Sequence, residues 1–153
     1  EGMAIRTKVK QFREIGRTGM GVRGINLNKK DKVVSMTILA SDKKDSTLLT
    51  VTEKGFGKRT KISEYREQSR GGKGLISIKV TDKTGEVVAI KLVEDANELM
   101  IITNKGTLIR TKIKDIKTIG RNTQGVRLIK LKDAEKVSAV ARVAEEEDEE
   151  AEE

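Results

Sequence analysis

The chain of 153 residues contains no cysteine, histidine, proline or tryptophan, and aromatic residues make up only 2% of it. Without cysteine and histidine it cannot form a disulfide, a Cys/His metal site, or a Ser-His-Asp or Cys-His nucleophile. No apolar run approaches the ~18 residues of a membrane span, and the first residues lack a signal-peptide core. We therefore expect a soluble, cytoplasmic protein that is not itself an enzyme, holds no cofactor or metal, and does not bind membranes.

Positive charge is in excess, and it is unevenly distributed. The chain has 32 Lys and Arg residues against 24 Asp and Glu, a formal net charge of +8. Eight of the acids lie in residues 144–153, which contain no base, so residues 1–143 carry 32 bases, 16 acids and a charge of +16. A body this basic is expected to bind a polyanion. The acidic tail is expected to be disordered, and it is either inert or an intramolecular competitor for the basic surface.

A threefold internal repeat organises the body. Gly2 recurs at two later positions with offsets of 53 and 51 residues, and the same offsets align an Arg-Thr-Lys triplet and a second glycine. We define repeat 1 as residues 1–53, repeat 2 as 54–104 and repeat 3 as 105–143. Repeat 3 is shorter than the others and the first residue is not methionine, so we expect a piece of a longer chain. The aligned residues are Gly2, Gly55 and Gly106; Arg6, Arg59 and Arg110; Lys8, Lys61 and Lys112; and Gly21, Gly74 and Gly125.

The repeats have the pattern of β-strands. After the first turn, Ile5, Thr7 and Val9 share one face, while Arg6 and Lys8 share the other, which we expect to be exposed. About eleven strands in repeats of ~50 residues are typical of propeller blades, so we predict an all-β, propeller-like fold with about three blades of four antiparallel strands. Besides the strands that open the repeats, strands are predicted at 22–27, 33–39, 48–52, 75–80, 87–93, 99–103, 126–131 and 137–143.

One glycine-rich segment carries a family resemblance. Gln68-Ser-Arg-Gly-Gly-Lys-Gly74 resembles the Gln-x-Arg-Gly-Gly-Lys/Arg-Gly box of the C-terminal domain of DNA gyrase A, and residues 55–60, residues 120–127 and the acidic tail are similar to later parts of that domain. The resemblance implies a β-pinwheel that wraps duplex DNA around a basic rim. It also implies that the chain functions together with the rest of gyrase A and with gyrase B, as part of an ATP-dependent, nucleoid-associated topoisomerase. The family's functional box lies in the first blade, so the box here is either that box or a copy in a later blade.

The candidate DNA-binding residues are the glycines and bases of these repeats. Glycines let a backbone approach a phosphate, and bases supply charge. The alternatives are a purely structural turn for the box and a solvated, aggregation-resistant strand face for the Arg-x-Lys pairs. With few aromatics and no recognition helix, binding should be largely independent of sequence. The candidates are Arg6, Lys8, Arg17, Arg23, Lys58, Arg59, Lys61, Gln68, Arg70, Gly71, Gly72, Lys73, Gly74, Arg110, Lys112, Arg121 and Arg127.

Two other interpretations remain open at this point. A protein-interaction propeller would use its faces to hold a partner, although the aromatic anchors usual at such faces are scarce here. The second is the equivalent domain of topoisomerase IV, in that enzyme's counterpart of gyrase A. Gly19 to Gly24 fits the dinucleotide pattern G-x-G-x-x-G, but a predicted strand follows it instead of a helix, so we regard the match as accidental. Tyr65, the only tyrosine, is predicted to be a core residue.

Overall fold

The computed structural model describes residues 1–40 and 46–143, and its regular structure is β-strand apart from three 3-10 turns. No helix within these ranges has the length and apolar character needed to cross a bilayer. The predicted acidic tail, residues 144–153, lies outside the described residues. The strands are β1 Met3–Ala4, β2 Thr47–Thr52, β3 Phe56–Lys61, β4 Leu75–Ile76, β5 Val87–Val93, β6 Glu98–Thr103, β7 Leu108–Lys112, β8 Val126–Arg127 and β9 Val137–Val143. The 3-10 turns are Val9–Gln11, Ile62–Glu64 and Ile113–Asp115.

Each sheet combines strands from different repeats, and all of its strand pairs are antiparallel. The strand orders are β1-β4, β5-β2-β3-β8 and β7-β6-β9. In the four-stranded sheet, β2 belongs to repeat 1, β3 and β5 to repeat 2, and β8 to repeat 3. The boundaries that the sequence draws at 53/54 and 104/105 lie in the β2–β3 and β6–β7 turns, inside sheets. Backbone hydrogen bonds therefore interlock successive repeats.

The core is aliphatic and surrounds the central strands. Leu49, Val51, Leu99 and Ile101 are inaccessible to solvent and belong to one apolar cluster. β2 lies between β3 and β5, and its buried threonine hydroxyls need internal partners. The hydroxyls of Thr50 and Ser77 are 3.3 Å apart, and the Ser77 hydroxyl lies 2.8 Å from that of Tyr65. Tyr65 is 3% exposed, which confirms its prediction as a core residue.

The predicted number of strands is too high, because nine strands form within the described residues. The strands predicted at 75–80 and 126–131 shrink to two residues each, and residues 22–27 form none. Residues 33–39 also form no strand, and Met36 and Ile38 are 85% and 73% exposed. Their counterparts one and two repeats later, β5 and β9, pair with β2 and β6. No strand of the described residues lies in the corresponding place beside 33–39, so its apolar pattern is not sufficient to form one.

A buried carboxylate closes the last turn of repeat 3 and should give the fold an acid-sensitive contact. Glu135 is 7% exposed, and it accepts hydrogen bonds from the Thr103 hydroxyl at 2.6 Å and the Lys132 N–H at 3.0 Å. Hydrogen bonds from Thr103, Thr107 and the Lys132 backbone lower the pKa of Glu135 to about 2.

Because the folded pKa lies below the unfolded value, this contribution to stability is present above about pH 4.5 and is lost as the pH falls towards 2. In urea unfolding between pH 6 and pH 2.5, Glu135→Gln should be less stable at pH 6 and should lose less stability on acidification than the unsubstituted chain. Parallel pH profiles for the two proteins would contradict this role.

Candidate nucleic-acid interface

In repeats 1 and 2, the arginine of the Arg-x-Lys pair donates a hydrogen bond to the backbone of the following repeat. A guanidinium nitrogen of Arg6 donates to the Tyr65 carbonyl at 3.2 Å, and Nε of Arg59 donates to the Ile116 carbonyl at 2.8 Å. Tyr65 and Ile116 occupy the same position in repeats 2 and 3, so these are two copies of one contact. Arg59 is 7% exposed and also pairs with Asp95. The predicted exposure of the arginine is therefore wrong for Arg59, which the next repeat covers, and Arg6 is only half-exposed because it bonds to the next repeat.

Arg110 occupies the same position in repeat 3, and no further repeat packs against it within the described residues 1–40 and 46–143. Its guanidinium pairs with Glu98, and its side chain is 62% exposed. The sequence is the same Arg-Thr-Lys in all three repeats, so neighbouring structure alone decides whether the arginine is accessible.

The lysines of the Arg-x-Lys pairs form the regular exposed feature. Lys8, Lys61 and Lys112 each occupy the N-cap position of one of the three 3-10 turns, and all three are exposed. Lys8 lies 3.2 Å from Glu67 across a partly exposed ion pair, which is of small energetic value in water. We name these three residues the lysine ladder, because one charge recurs at the same place in each repeat.

The arginine of the box also contacts the neighbouring repeat, in the opposite direction along the chain. Nε of Arg70 donates to the Gln11 carbonyl at 3.1 Å, and another of its nitrogens donates to the Arg23 carbonyl at 3.2 Å. In repeat 3, Arg121 donates in the same way to the carbonyl of Ile76 at 2.8 Å. Ile76 aligns with Arg23, so the contact is repeated. The structural alternative for these two arginines is thus supported, although Arg70 keeps an exposed surface.

The glycines of the box differ in what they do. Gly74 has φ +80°, and a Cβ there would lie 2.5 Å from the Ala4 carbonyl oxygen. Gly71 has φ +78°, and its N–H donates to the Gly24 carbonyl at 2.6 Å. Gly72 does not have a left-handed backbone, a Cβ there would make only ordinary contacts at 3.5 Å or more, and within residues 1–40 and 46–143 no group accepts from its N–H. Gly72 therefore keeps an unpaired N–H beside the exposed Lys73, while Gly74 allows close packing against repeat 1.

The other candidates divide in the same way. Lys58 is fully buried, and its ammonium bonds to the loop at 120–123, so it cannot present its charge directly to DNA. Its burial has a sequence signal, because Lys58 aligns with the apolar Ile5 and Ile109. The backbone of Gln68 donates to the Arg6 carbonyl at 2.8 Å. Exposed candidates without such roles are Arg17, Arg23 and Arg127, the last with its guanidinium 5.3 Å from the centre of the Phe56 ring.

The sequence matches a family described as the DNA gyrase C-terminal domain, a β-propeller, over residues 1–40, 46–94 and 97–144. The chain belongs to this family. DNA gyrase A of Escherichia coli strain K12 is 47% identical over 150 residues, and that of Staphylococcus epidermidis strain ATCC 12228 is 46% identical over 144 residues. These alignments cover 98% and 94% of this chain but only 17% and 16% of the two relatives.

Solved structures agree with the gyrase-domain fold. A DNA gyrase A C-terminal domain superposes with a TM-score of 0.79 and 26% identity over 93% of this chain and 47% of that one. The C-terminal domain of a DNA topoisomerase IV superposes with a TM-score of 0.86 at 22% identity, over 94% of this chain and 44% of that one. The second likeness is one of fold. The predicted all-β, propeller-like architecture and the predicted family are confirmed.

Proposed function

We propose that this chain is a non-catalytic module that binds duplex DNA with little sequence preference along the lysine ladder. The observation that supports the proposal is that the arginine and the lysine of Arg-Thr-Lys have different environments. The arginine is bonded to the next repeat wherever one follows, and the lysine stays exposed at the same 3-10 N-cap three times. A recurring row of cations on a rigid support matches the phosphates of a curved duplex better than those of a short straight one.

Within the longer protein we propose that this module wraps DNA. The relatives are gyrase A proteins, and the rest of gyrase A together with gyrase B would be its partners in a topoisomerase that introduces negative supercoils. The body charge of +16 for residues 1–143 supports tight contact with a polyanion and exceeds what solubility requires. Nicked plasmid, ligated in the presence and absence of the protein, measures wrapping directly, because a chiral wrap shifts the linking number. An unchanged linking number at saturating protein would contradict wrapping and leave only DNA binding as the proposed function.

Removing the lysine ladder should weaken DNA binding and its salt dependence together. For Lys8→Ala/Lys61→Ala/Lys112→Ala we expect the slope of log K against log salt to fall by about 0.9 for each lost phosphate contact, with an affinity loss on the order of tenfold or more near 0.1 M salt. Fluorescence anisotropy of a labelled duplex across a salt series measures both quantities.

The matched control removes the same charge elsewhere. Lys29→Ala/Lys30→Ala/Lys32→Ala takes three exposed lysines from a loop outside the ladder, so it lowers the net charge equally. We expect a loss several times smaller than that of the ladder variant. Equal losses would show that total charge, and not the ladder, determines binding. A protein captured from lysate after nuclease treatment, with no DNA affinity in the purified chain, would favour the protein-interaction alternative.

A further inference from the structure

Lys58 is a buried cation placed where the other repeats have an apolar side chain. It lies on β3 at the position of Ile5 and Ile109, and its side chain is inaccessible to solvent. Its ammonium reaches the loop at 120–124 in repeat 3, where it donates to the Gly120 carbonyl at 2.6 Å, to the Arg121 carbonyl, and to the Thr123 hydroxyl at 3.1 Å. All three ammonium donors are thus used, which lets a charge stay buried.

These contacts fix which backbone groups of the loop point inwards. The carbonyls of Gly120 and Arg121 accept from Lys58, and the Thr123 carbonyl accepts from the Lys79 N–H at 2.9 Å. Within the part of the chain that the structure describes, no group accepts from the N–H of Asn122 or Gln124, and both residues are exposed. Between these two residues, the Thr123 N–H donates to the Arg121 carbonyl at 3.0 Å. The exposed N–H groups of Asn122 and Gln124 are therefore the loop amides left available to an anion.

We propose that residues 120–124 form a phosphate-binding loop, and that Lys58 is its positioning residue, holding the loop carbonyls inwards so that the N–H groups of Asn122 and Gln124 can bind a phosphate of the DNA backbone. The inference rests on the proposed DNA-binding function and adds a contact that the lysine ladder does not provide. Lys58 acts through the loop and does not touch DNA.

The surrounding charge favours an anion. Lys58 lies beneath the loop, and Arg121 is part of it. One carboxylate, Glu64, accepts from the Arg121 N–H at 3.0 Å. The corresponding loop of repeat 2 has an apolar residue in place of the cation, because Ile5 lies beneath it: a Cβ added at Gly72 would be 3.5 Å from the Ile5 side chain. The charge beneath the loop is therefore specific to the junction between repeats 2 and 3.

The loop should lose its phosphate affinity as Lys58 deprotonates. Burial lowers the pKa of Lys58 to about 8, with Glu64 acting to raise it and Arg121 acting to lower it. These are the charged groups that face the ammonium from the 3-10 turn and from the loop. DNA affinity then falls as the pH rises through 8. Fold stability changes in the opposite direction, because the unfolded chain still holds this proton up to about pH 10.4 and the folded chain does not.

The experiment measures affinity for a labelled duplex at constant salt from pH 7 to pH 9.5, with thermal unfolding recorded on the same samples. For the unsubstituted chain we expect the affinity to fall by about three- to tenfold, which corresponds to the loss of about one ordinary hydrogen bond. Lys58→Met should bind more weakly at pH 7 and show no pH dependence. Lys61→Met, an exposed lysine on the same strand, should bind more weakly but keep the pH dependence.

Each outcome separates this inference from the proposed function. If the unsubstituted chain does not bind the duplex, the proposed function fails. If it binds, but Lys58→Met follows a parallel pH curve, the loop proposal is overturned and the proposed function stands. Should Lys58→Met fail to fold, amide resonances of the unsubstituted chain titrated with inorganic phosphate give a second test. Shifts at Asn122 and Gln124 that disappear above pH 9 support the loop, and unmoved resonances at pH 7 overturn it.

Discussion

Alanine at Gly74 is expected to destabilise the fold by about 2–4 kcal/mol. The residue has φ +80°, and the added Cβ would lie 2.5 Å from the Ala4 carbonyl oxygen and 2.8 Å from its carbonyl carbon. Both atoms belong to the backbone at β1, so the neighbour cannot move aside as a flexible side chain could. The left-handed conformation adds its own cost for any residue with a Cβ. Urea unfolding of Gly74→Ala against the unsubstituted chain measures the difference in the free energy of unfolding.

Gly72 supplies a control within the same loop. A Cβ there would make only ordinary contacts at 3.5 Å or more, and the backbone is not left-handed. Gly72→Ala should change stability by less than about 0.5 kcal/mol. If Gly74→Ala unfolds at the same urea concentration as Gly72→Ala, close packing between repeats 1 and 2 does not explain the glycine. Gly125 packs in the same way at the junction between repeats 2 and 3, where an added Cβ would lie 2.6 Å from the Gly57 carbonyl oxygen.

Replacing Arg59 by methionine is expected to lower the free energy of unfolding by about 2–3 kcal/mol, because it removes one of the buried hydrogen-bond donors between repeats 2 and 3. The Ile116 carbonyl would lose its partner at 2.8 Å, and Asp95 would lose its ion pair. Methionine preserves much of the side-chain volume, so the loss reports mainly on hydrogen bonding. Unfolding in urea measures it, and duplex binding of the folded variant should change little, because the guanidinium of Arg59 is covered.

Arg110 supplies a control that separates the effect of the buried junction from the effect of losing an arginine. It occupies the same repeat position, but it is exposed and pairs with Glu98 at the surface. Exposed ion pairs contribute about 0–1 kcal/mol, so Arg110→Met should lose less than about 1 kcal/mol. A loss at Arg110 as large as that at Arg59 would show that the junction contact is not the source of the effect.

The sequence predicted the elements with strong local signals. Alternating, β-branched runs at 48–52, 87–93, 99–103 and 137–143 became β2, β5, β6 and β9 with bounds within one residue. The equally apolar run at 33–39 did not, because a strand also needs a neighbour to complete its hydrogen bonds. The repeat offsets of 53 and 51 residues supported the all-β class, because the same alternating pattern recurs in one register in each repeat.

The sequence identified the basic residues of the candidate site, but it did not predict which of them are exposed. Arg6, Arg59 and Arg110 lie in the same triplet, and no local pattern distinguishes them. Arg6 and Arg59 are bonded to the next repeat, while Arg110 is exposed. A residue's long-range partner depends on how repeats exchange strands, which a periodic sequence does not specify.

The sequence by itself determined the absence of cysteine and histidine chemistry, the basic body, the threefold repeat and the family resemblance. These follow from residue types and their spacing, which need no coordinates. The tertiary structure decided which cations can meet a ligand. It covered Arg59 and Lys58 because strands of successive repeats share sheets, and it left the lysine ladder exposed because each lysine precedes a 3-10 turn at the surface.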